Sequence, residues 1–466
     1  MTAPGSRRRL DLSPAALRQL VAIRPGYFPV LFDSAASASG ATGHALTMLA
    51  AAPVGLLALT RDQRLIARGE ARAPRLSDAG GFLAALDAWW RDVHARAPAA
   101  CSLAGGWAVY LGYELATEVE PTLRLPPGRL PWRAVAIRVG GALVHDHAAG
   151  TVDLVVAPGD EPRLDEIERE VIAALAAGRA AAPTRVPSPQ IARQIDEEPA
   201  ERFLARVARA QEHIGAGDIY QANLSRWWRA ACPGQVSGPL YERLRDANPA
   251  PFAAHARFDG MDLLSSSPER LLAIRGREAS TRPIAGTRPR SLRPGADAHE
   301  AAGLAAHPKE RAEHVMLIDL ERNDLGRVCE AGTVRVDEYM VVETFAHVHH
   351  IVSNVRGTLR AGVTPVDALR AVFPGGTITG VPKVRCMQII AELEGEGRDA
   401  YTGSLGWLSP AGDADFNILI RTLTLADGRL EVRAGAGIVA DSDPTRELAE
   451  TRAKARGLLA ALGAGP

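Results

Sequence analysis

Short apolar runs with strand-like composition recur through the N-terminal part of the chain. They lie at residues 27–34, 105–113, 135–144 and 152–156. Few reactive side chains accompany them, so we expect this part to build scaffold. Residues 178–199 are rich in Ala, Arg and Pro and show no periodicity, which is typical of a linker. The pattern therefore predicts an N-terminal region at residues 1–180 and a second domain at residues 195–466.

Beyond the linker, helical and strand periods alternate. Phe203, Val207 and Ile214 have helical spacing, and the glycines that follow end that helix. Further helices are predicted at residues 309–325, 386–393 and 443–462. Strands are predicted at residues 218–225, 261–274, 341–352, 401–407, 416–425 and 430–440, the second of these runs holding two strands around a break at 265–269. Residues 281–290 contain two prolines and a glycine, which indicate a rigid, non-helical segment.

Length and charge narrow the class of protein. The 466 residues allow a large core, and the formal net charge is zero. A neutral chain gives no reason to expect a nucleic acid or an acidic membrane surface as a partner. The cysteines are far apart and lack the paired spacing of zinc or disulfide sites; they are Cys101, Cys232, Cys329 and Cys386. We therefore expect a soluble, cytoplasmic protein.

Residues 373–385, Phe-Pro-Gly-Gly-Thr-Ile-Thr-Gly-Val-Pro-Lys-Val-Arg, place glycines and threonines directly before a helix. Open N–H groups and hydroxyls at a helix start favour an anion, whereas a tight loop that caps a buried helix would use the same residues. A phosphate loop is excluded because Lys383 lies three residues after Gly380 and precedes no Ser or Thr. The chain's other lysines, Lys309 and Lys454, also lie beside the motifs described below. A nearby ammonium would suit a carboxylate ligand.

Several polar side chains lie where the pattern predicts burial. Gln221 and Asn223 share one face of a predicted strand. Glu269 lies at a strand break, and Arg421 lies in an apolar strand. These residues need no ligand if Gln221 and Asn223 are an amide pair with its hydrogen bonds satisfied and Glu269 is an ordinary turn residue. Arg421 is more specific, because a buried arginine needs an anion.

Carboxylates on two predicted helices suggest a cation site. Glu313 lies on a largely buried helix, where a carboxylate needs a partner. Glu447, Glu450 and Lys454 share one face of the last helix. They would form a solvated ion-pair row, or Glu450 would join Glu313 to hold Mg²⁺, which takes one or two carboxylates and keeps bound water.

Three histidines, His347, His349 and His350, lie in the run 341–352. Alternate strand residues point to opposite faces, so only His347 and His349 would share one. Core or substrate-contacting histidines are therefore favoured over a metal site.

Together these motifs resemble the chorismate-utilising enzymes, a family that includes anthranilate synthase component I, aminodeoxychorismate synthase component I, isochorismate synthase and salicylate synthase. The motifs that carry the resemblance are residues 267–269, 282–287, 313–324, 373–383, 435–437 and 450–454. They follow the family's order over roughly residues 200 to 460. The resemblance implies an α+β fold in which two antiparallel β-sheets pack as a sandwich with helices outside, and a Mg²⁺-dependent reaction on chorismate.

The resemblance also implies a role for each matched position. The catalytic positions are Glu269, as the acid that protonates the leaving ring hydroxyl, and His350, Thr377 and Gln221 beside the ring. The substrate-binding positions are Ala285, Gly286, Thr287, Tyr401, Arg421, Gly435, Ala436, Gly437 and Lys454. The metal positions are Glu313 and Glu450, with Glu447 close by. A homologue that only binds a metabolite is disfavoured because this set is intact.

The reaction implied by the resemblance is amination. Family members that add water carry a lysine base where this chain has Gln221, and an amide cannot deprotonate water. Four segments look more like aminodeoxychorismate synthase, an enzyme of 4-aminobenzoate and folate biosynthesis: residues 220–225, 251–254, 373–376 and 416–422. The alternative is anthranilate synthase, an enzyme of tryptophan biosynthesis. Ala285, in contrast, stands where many aminodeoxychorismate synthases have a nucleophilic lysine. Ammonia is expected from glutamine through a separate glutamine amidotransferase subunit.

Overall fold

The computed structural model describes residues 6–35, 46–72, 80–96, 103–181, 194–232, 236–291, 293–345 and 348–463. Among them the helices are α1 (Pro14–Ile23), α2 (Phe82–Arg96), α3 (Ala116–Val119), α4 (Pro162–Ala181), α5 (Ala200–Gly215), α6 (Ser237–Ala247), α7 (Pro294–Ala306), α8 (Pro308–Gly326), α9 (Pro365–Val372), α10 (Lys383–Glu394) and α11 (Pro444–Ala461). No helix in these ranges is long and apolar enough to cross a membrane.

The strands of the same residues are β1 (Ser6–Leu10), β2 (Val30–Asp33), β3 (Leu46–Thr60), β4 (Leu65–Gly69), β5 (Trp107–Leu111), β6 (Trp132–Asp146), β7 (Thr151–Val156), β8 (Asp196–Glu197), β9 (Gln221–Ala231), β10 (Phe252–Phe258) and β11 (Met261–Ser267). They continue with β12 (Arg270–Arg275), β13 (Glu278–Arg282), β14 (Ile284–Pro289), β15 (Arg335–Thr344), β16 (Val348–Thr358), β17 (Gly380–Val381), β18 (Ser404–Leu408), β19 (Ala414–Asn417), β20 (Thr422–Ala426) and β21 (Arg429–Ile438).

All these strands pair antiparallel in one network that divides into two branches. The branches start from the paired strands β3 and β6. One runs from β6 through β5, β18, β19, β12 and β13 to β16, which also pairs with β14 and β15. The other runs from β3 through β2, β10, β11, β20 and β21 to β9. The α+β class is confirmed, and the two predicted sheets correspond to these branches.

Helices cover the branches where the candidate site residues lie. Helix α8 packs on β14 and β16 of the first branch, and α11 packs on β21 of the second. Local sequence explains where α11 begins, since the Asp443 side chain accepts from the Arg446 N–H and Pro444 occupies the first turn. Large aromatic side chains fill the core beneath the first branch, where Trp89 and Trp107 pack edge to face with centroids 5.5 Å apart.

Two predicted strands are divided in the structure. The run 341–352 is a hairpin, in which β15 ends at Thr344 and β16 begins at Val348; His347 lies outside the described residues. The run 416–425 is interrupted after Asn417, and Arg421 has a positive φ of 52°. That conformation is rare for a residue with a side chain, so Arg421 lies in a turn held by its surroundings rather than in a continuous strand. The predicted linker also begins later than expected, because α4 continues to Ala181.

Candidate active site

The Glu269 carboxyl is buried at the turn between β11 and β12. Its side chain is 4% exposed, and Oε1 accepts a hydrogen bond of 3.3 Å from the Ile284 N–H. Burial raises the pKa of Glu269 to about 7, although the Thr377 hydroxyl and the charge of Arg421 oppose the rise. A carboxyl with a pKa of about 7 is about half protonated at neutral pH, so it can act as a proton donor there. The structure therefore gives Glu269 the properties of a general acid.

Arg421 provides an uncompensated positive charge next to this acid. Within the described part of the chain its side chain forms no ion pair. Burial lowers the pKa of Arg421, and the nearby Tyr401, Glu269 and Glu450 only partly oppose this effect. Burial raises the pKa of Tyr401 to about 12, so its hydroxyl remains a hydrogen-bond donor. A half-buried guanidinium beside a phenol suits a ligand carboxylate.

The two described histidines of β16 point to different environments. Burial and the charge of Arg421 lower the pKa of His350 to about 3, so its ring is neutral, and a hydrogen bond to the Gly286 backbone fixes it in the site. His349 pairs instead with Thr344 through Nδ1 and with Asp297 through Nε2, both at 2.9 Å. Since both ring nitrogens of His349 are occupied, the structure favours the non-metal interpretation of this residue.

Glycines of β21 let backbone and ligand approach closely. A Cβ on Gly435 would lie 2.6 Å from the Tyr401 hydroxyl, and one on Gly437 would lie 2.3 Å from Gln221 Nε2. Both glycines therefore face the site side chains. Ala436 is on the opposite face of the strand, and its side chain packs in an apolar cluster rather than in the site.

Residues 285–287 cross the site at an irregularity of β14. The pairing with β16 shifts between Ala285 and Thr287, and Gly286 has a φ of 71°. The positive φ favours glycine at this position, and a Cβ there would also require the Glu310 side chain, whose Oε2 would lie 2.8 Å away, to move. Ala285 is 5% exposed. In the backbone register, Thr287 is paired with His350.

The predicted metal ligands lie at two ends of the glycine face of β21. Glu313 Oε1 accepts a hydrogen bond of 2.9 Å from Gln221 Nε2, the amide that lies against Gly437. Glu450 pairs with Lys454 at 2.7 Å, and Lys454 Nζ donates to the Gly435 carbonyl at 3.0 Å. Glu313 thus lies beside β21 directly, whereas Glu450 is linked to the strand through Lys454.

This oxygen donor set fits Mg²⁺, which accepts one or two protein carboxylates together with water and anionic substrate oxygens. The described residues contain no group of three or more His, Cys, Asp or Glu side chains placed to hold a metal on their own. Glu447 lies one turn before Glu450 on α11 and is half-buried. If Glu313 and Glu450 were the protein ligands, the remaining positions of the ion would be left to water and to substrate oxygens.

Two amide oxygens of β9 lack partners within the described residues. Gln221 Oε1 and Asn223 Oδ1 are buried and accept no hydrogen bond within the described part of the chain. Unpaired buried acceptors cost free energy, so they point to a donor that is supplied by a ligand. The prediction that Gln221 and Asn223 share a face is consistent with β9, to which both belong.

Lys383 does not serve as a free ammonium for an anion. Its Nζ pairs with Asp324 on α8 and donates to the carbonyl of Pro374 at 2.9 Å and of Val372 at 3.3 Å. All these contacts of the ammonium hold residues 372–376 against α8. The loop-capping interpretation describes Lys383 better than the anion-binding one.

We expect Lys383→Met to lower the free energy of unfolding at pH 8 by about 3 kcal/mol, because it leaves the buried Asp324 carboxylate unpaired. The loss should shrink as the pH falls, since a protonated Asp324 does not need the ammonium. Urea unfolding at pH 8 and pH 5.5 measures both effects. Arg385→Met is the control, because the Arg385–Asp218 pair is exposed and should contribute less than about 1 kcal/mol. An equal loss in both variants would contradict the expectation.

The sequence analysis missed a buried polar cluster below the site. Glu321 is 4% exposed and Asp324 is 2% exposed, although both were considered only as part of the 313–324 motif. Their spacing of three residues on an apolar helix places them on one face, and that was the available signal.

Residues 49–460 match the family described as chorismate binding enzyme. The chain belongs to this family and is a chorismate-utilising enzyme. Anthranilate synthase component 1 of Streptomyces coelicolor is 45% identical over 374 residues, covering 77% of this chain and 73% of the relative. Aminodeoxychorismate synthase component 1 of Bacillus subtilis is 46% identical over 263 residues, covering 56% of this chain and 55% of the relative. The crystal structure of anthranilate synthase component I from Streptococcus pneumoniae is 29% identical, with a TM-score of 0.75 and coverage of 98% of this chain and 100% of that one.

Proposed function

We propose that this protein is component I of an anthranilate synthase, which converts chorismate and ammonia into anthranilate and pyruvate. The observation that carries the choice is Ala285, which is buried in the loop at 285–287 and supplies no nucleophile for a covalent step on the ring. Extensive similarity to anthranilate synthase component 1 of Streptomyces coelicolor supports it. Residues 220–225 and 373–376 look more like aminodeoxychorismate synthase, but the relatives support anthranilate synthase better.

The proposed mechanism uses the charges and the acid of the site. Arg421, Lys454 and the Tyr401 hydroxyl bind the two carboxylates of chorismate. Because Gly435 and Gly437 lack side chains, Tyr401 and Gln221 can lie close to β21. Glu269 gives its proton to the leaving ring hydroxyl at C4, which departs as water while ammonia bonds to C2. Loss of a ring proton and of the enolpyruvyl group, which leaves as pyruvate, then gives the aromatic product.

Mg²⁺ held by Glu313 and Glu450 would neutralise the ring carboxylate as a Lewis acid. Gln221 positions Glu313 through its Nε2 group and offers an acceptor oxygen toward the site. Since an amide does not remove a proton from water, Gln221 supports ammonia as the nucleophile. His350 is neutral and contributes no charge beside the ring.

Amination at C4, which would give 4-amino-4-deoxychorismate, is the second candidate function. Identity of 46% to the Bacillus subtilis relative supports it, as do residues 220–225 and 373–376. With Ala285 in place of lysine, this reaction would have to proceed without a covalent enzyme intermediate. In either case we propose that ammonia comes from glutamine on a separate glutamine amidotransferase subunit, and that free ammonium supports a slower reaction without that subunit.

The products of one incubation distinguish these functions. Purified protein with chorismate, Mg²⁺ and ammonium at pH 7.5 is expected to form anthranilate and an equal amount of pyruvate. The same incubation is repeated with added aminodeoxychorismate lyase. 4-Aminobenzoate that appears only with the lyase would establish the second candidate and overturn the first, whereas a chorismate binder without turnover would produce neither compound.

A further inference from the structure

A buried arginine, Arg398, has no role in the proposed mechanism, although its side chain is only 2% exposed. It forms a two-point ion pair with Glu394, the last residue of α10. Nη2 donates to Oε1 at 2.7 Å and Nε donates to Oε2 at 3.0 Å. The same Glu394 Oε1 accepts from the N–H group of Ser225 on β9 at 2.8 Å. The carboxylate therefore fixes the plane of the guanidinium beside β9.

The other N–H groups of Arg398 reach three further segments of the chain. Nη1 donates to the carbonyl of Ile378 at 3.2 Å, and Nη2 donates to the carbonyl of Asn223 at 2.6 Å. Nη1 also donates to the hydroxyl of Thr402 at 3.4 Å. Together with the two bonds to Glu394, these bonds use all five N–H groups of the guanidinium.

These three acceptors lie within two residues of site positions, which are Thr377, Gln221 and Tyr401. The guanidinium carbon of Arg398 also lies 5.6 Å from the centroid of the Tyr401 ring. The hydroxyl of that ring is the group that would lie 2.6 Å from a Cβ on Gly435. One side chain thus connects the turn at Thr377, the start of β9 and the tyrosine that lies against β21.

We propose that Arg398 is a positioning residue that holds Thr377, Gln221 and Tyr401 in the arrangement that binds chorismate. In this role it acts through these three residues rather than on the substrate itself. Small displacements of groups that align a substrate cost a large part of the rate, which makes such a residue important for turnover. This inference rests on the chorismate site of the proposed function and does not depend on which ring carbon is aminated.

Arg398→Lys tests the proposal, because it keeps a positive charge beside Glu394 but offers three donors without the planar fork. With saturating Mg²⁺ and ammonium, kcat/KM for chorismate is expected to fall by on the order of 10²-fold, through a higher KM as well as a lower kcat. Circular dichroism at the assay temperature shows that the variant is folded. A purely structural role would lower the fraction of folded enzyme, which reduces kcat and leaves KM unchanged.

Glu394→Gln decides the question if the lysine variant does not fold. Its amide oxygen can still accept from Ser225, whereas its NH₂ group would face the Nε–H of Arg398 and free the guanidinium on that side. We expect a smaller rise in KM for chorismate than in Arg398→Lys. A wild-type KM in this variant would count against the proposal in the same way as in the lysine variant.

Arg206→Lys is the matched control. Arg206 is also buried and also holds a glutamate at two points, since its Nη2 and Nη1 donate to the two oxygens of Glu198 at 2.7 Å and 3.1 Å. Its other acceptors in the described ranges are the carbonyls of Ser225 and Glu394, neither of which lies within two residues of the site positions that Arg398 supports. Its replacement should leave KM for chorismate close to the wild-type value.

A double-mutant cycle with Tyr401→Phe shows whether Arg398 acts through the tyrosine. In that background Arg398→Lys should raise KM for chorismate less than it does in the wild type, because the hydroxyl that Arg398 helps to place is already missing. Additive effects, a wild-type KM in folded Arg398→Lys, or an equal rise in Arg206→Lys would overturn the proposal. A wild-type enzyme that converts no chorismate would instead overturn the proposed function, and this inference with it.

Discussion

Replacement of Glu269 by Gln is expected to lower kcat by about 10²–10⁴-fold while chorismate still binds. The amide has the same shape, and its oxygen can still accept the hydrogen bond from the Ile284 N–H, so the pocket should keep its form. What it cannot do is give a proton to the departing ring hydroxyl. Steady-state rates with saturating ammonium, together with a direct titration of chorismate binding, separate these two effects.

The pH dependence of kcat in the wild-type enzyme should reflect the ionisation of Glu269. Because Glu269 acts in its protonated form and its pKa is about 7, kcat should be maintained below that pH and should fall as the pH rises through it. The residual rate of Glu269→Gln should show no such limb. A variant with near-wild-type kcat, or with the same basic limb, would mean that another group supplies the proton.

The order of motifs along the chain was sufficient to predict the fold and the family. Helix α11 begins as predicted from Asp443 and Pro444, because capping is decided by neighbouring residues. The β11–β12 break at Glu269 is likewise local, since Pro268 interrupts the strand pattern. These features depend on short stretches of sequence, and the sequence analysis recovered them.

Features that depend on distant contacts could not be predicted. The ammonium of Lys383 is used by Asp324, which lies 59 positions earlier in the chain, and no local pattern reports that pairing. Arg421 has a positive φ because of the strands around it, and the apolar residues beside it in the sequence give no sign of that conformation. Ala436 differs from these cases, because the predicted strand at residues 430–440 and its period of two already place its side chain on the face opposite to Gly435 and Gly437.

Glu313→Gln and Glu450→Gln are each expected to reduce Mg²⁺-dependent turnover by at least about 100-fold, since the ion supplies several kcal/mol of charge stabilisation. Each variant replaces a carboxylate with a neutral amide while keeping the side-chain length. In Glu313→Gln the contact with Gln221 can persist through the amide oxygen, so the fold should be unaffected. Mg²⁺ titrations in the presence of chorismate should show a matching loss of affinity.

Two further variants make the metal assignment specific. Asp319→Asn removes a carboxylate from the same helix as Glu313, but its side chain is 63% exposed and pairs with Arg322, so neither turnover nor Mg²⁺ affinity should change. Glu447→Gln should give an intermediate loss, since Glu447 lies one turn before Glu450 on α11. Wild-type Mg²⁺ dependence in either Glu313→Gln or Glu450→Gln would remove that residue from the metal site. The ion would then have to be held by the substrate and the remaining carboxylate, a much weaker arrangement for a cation that prefers charged oxygen ligands.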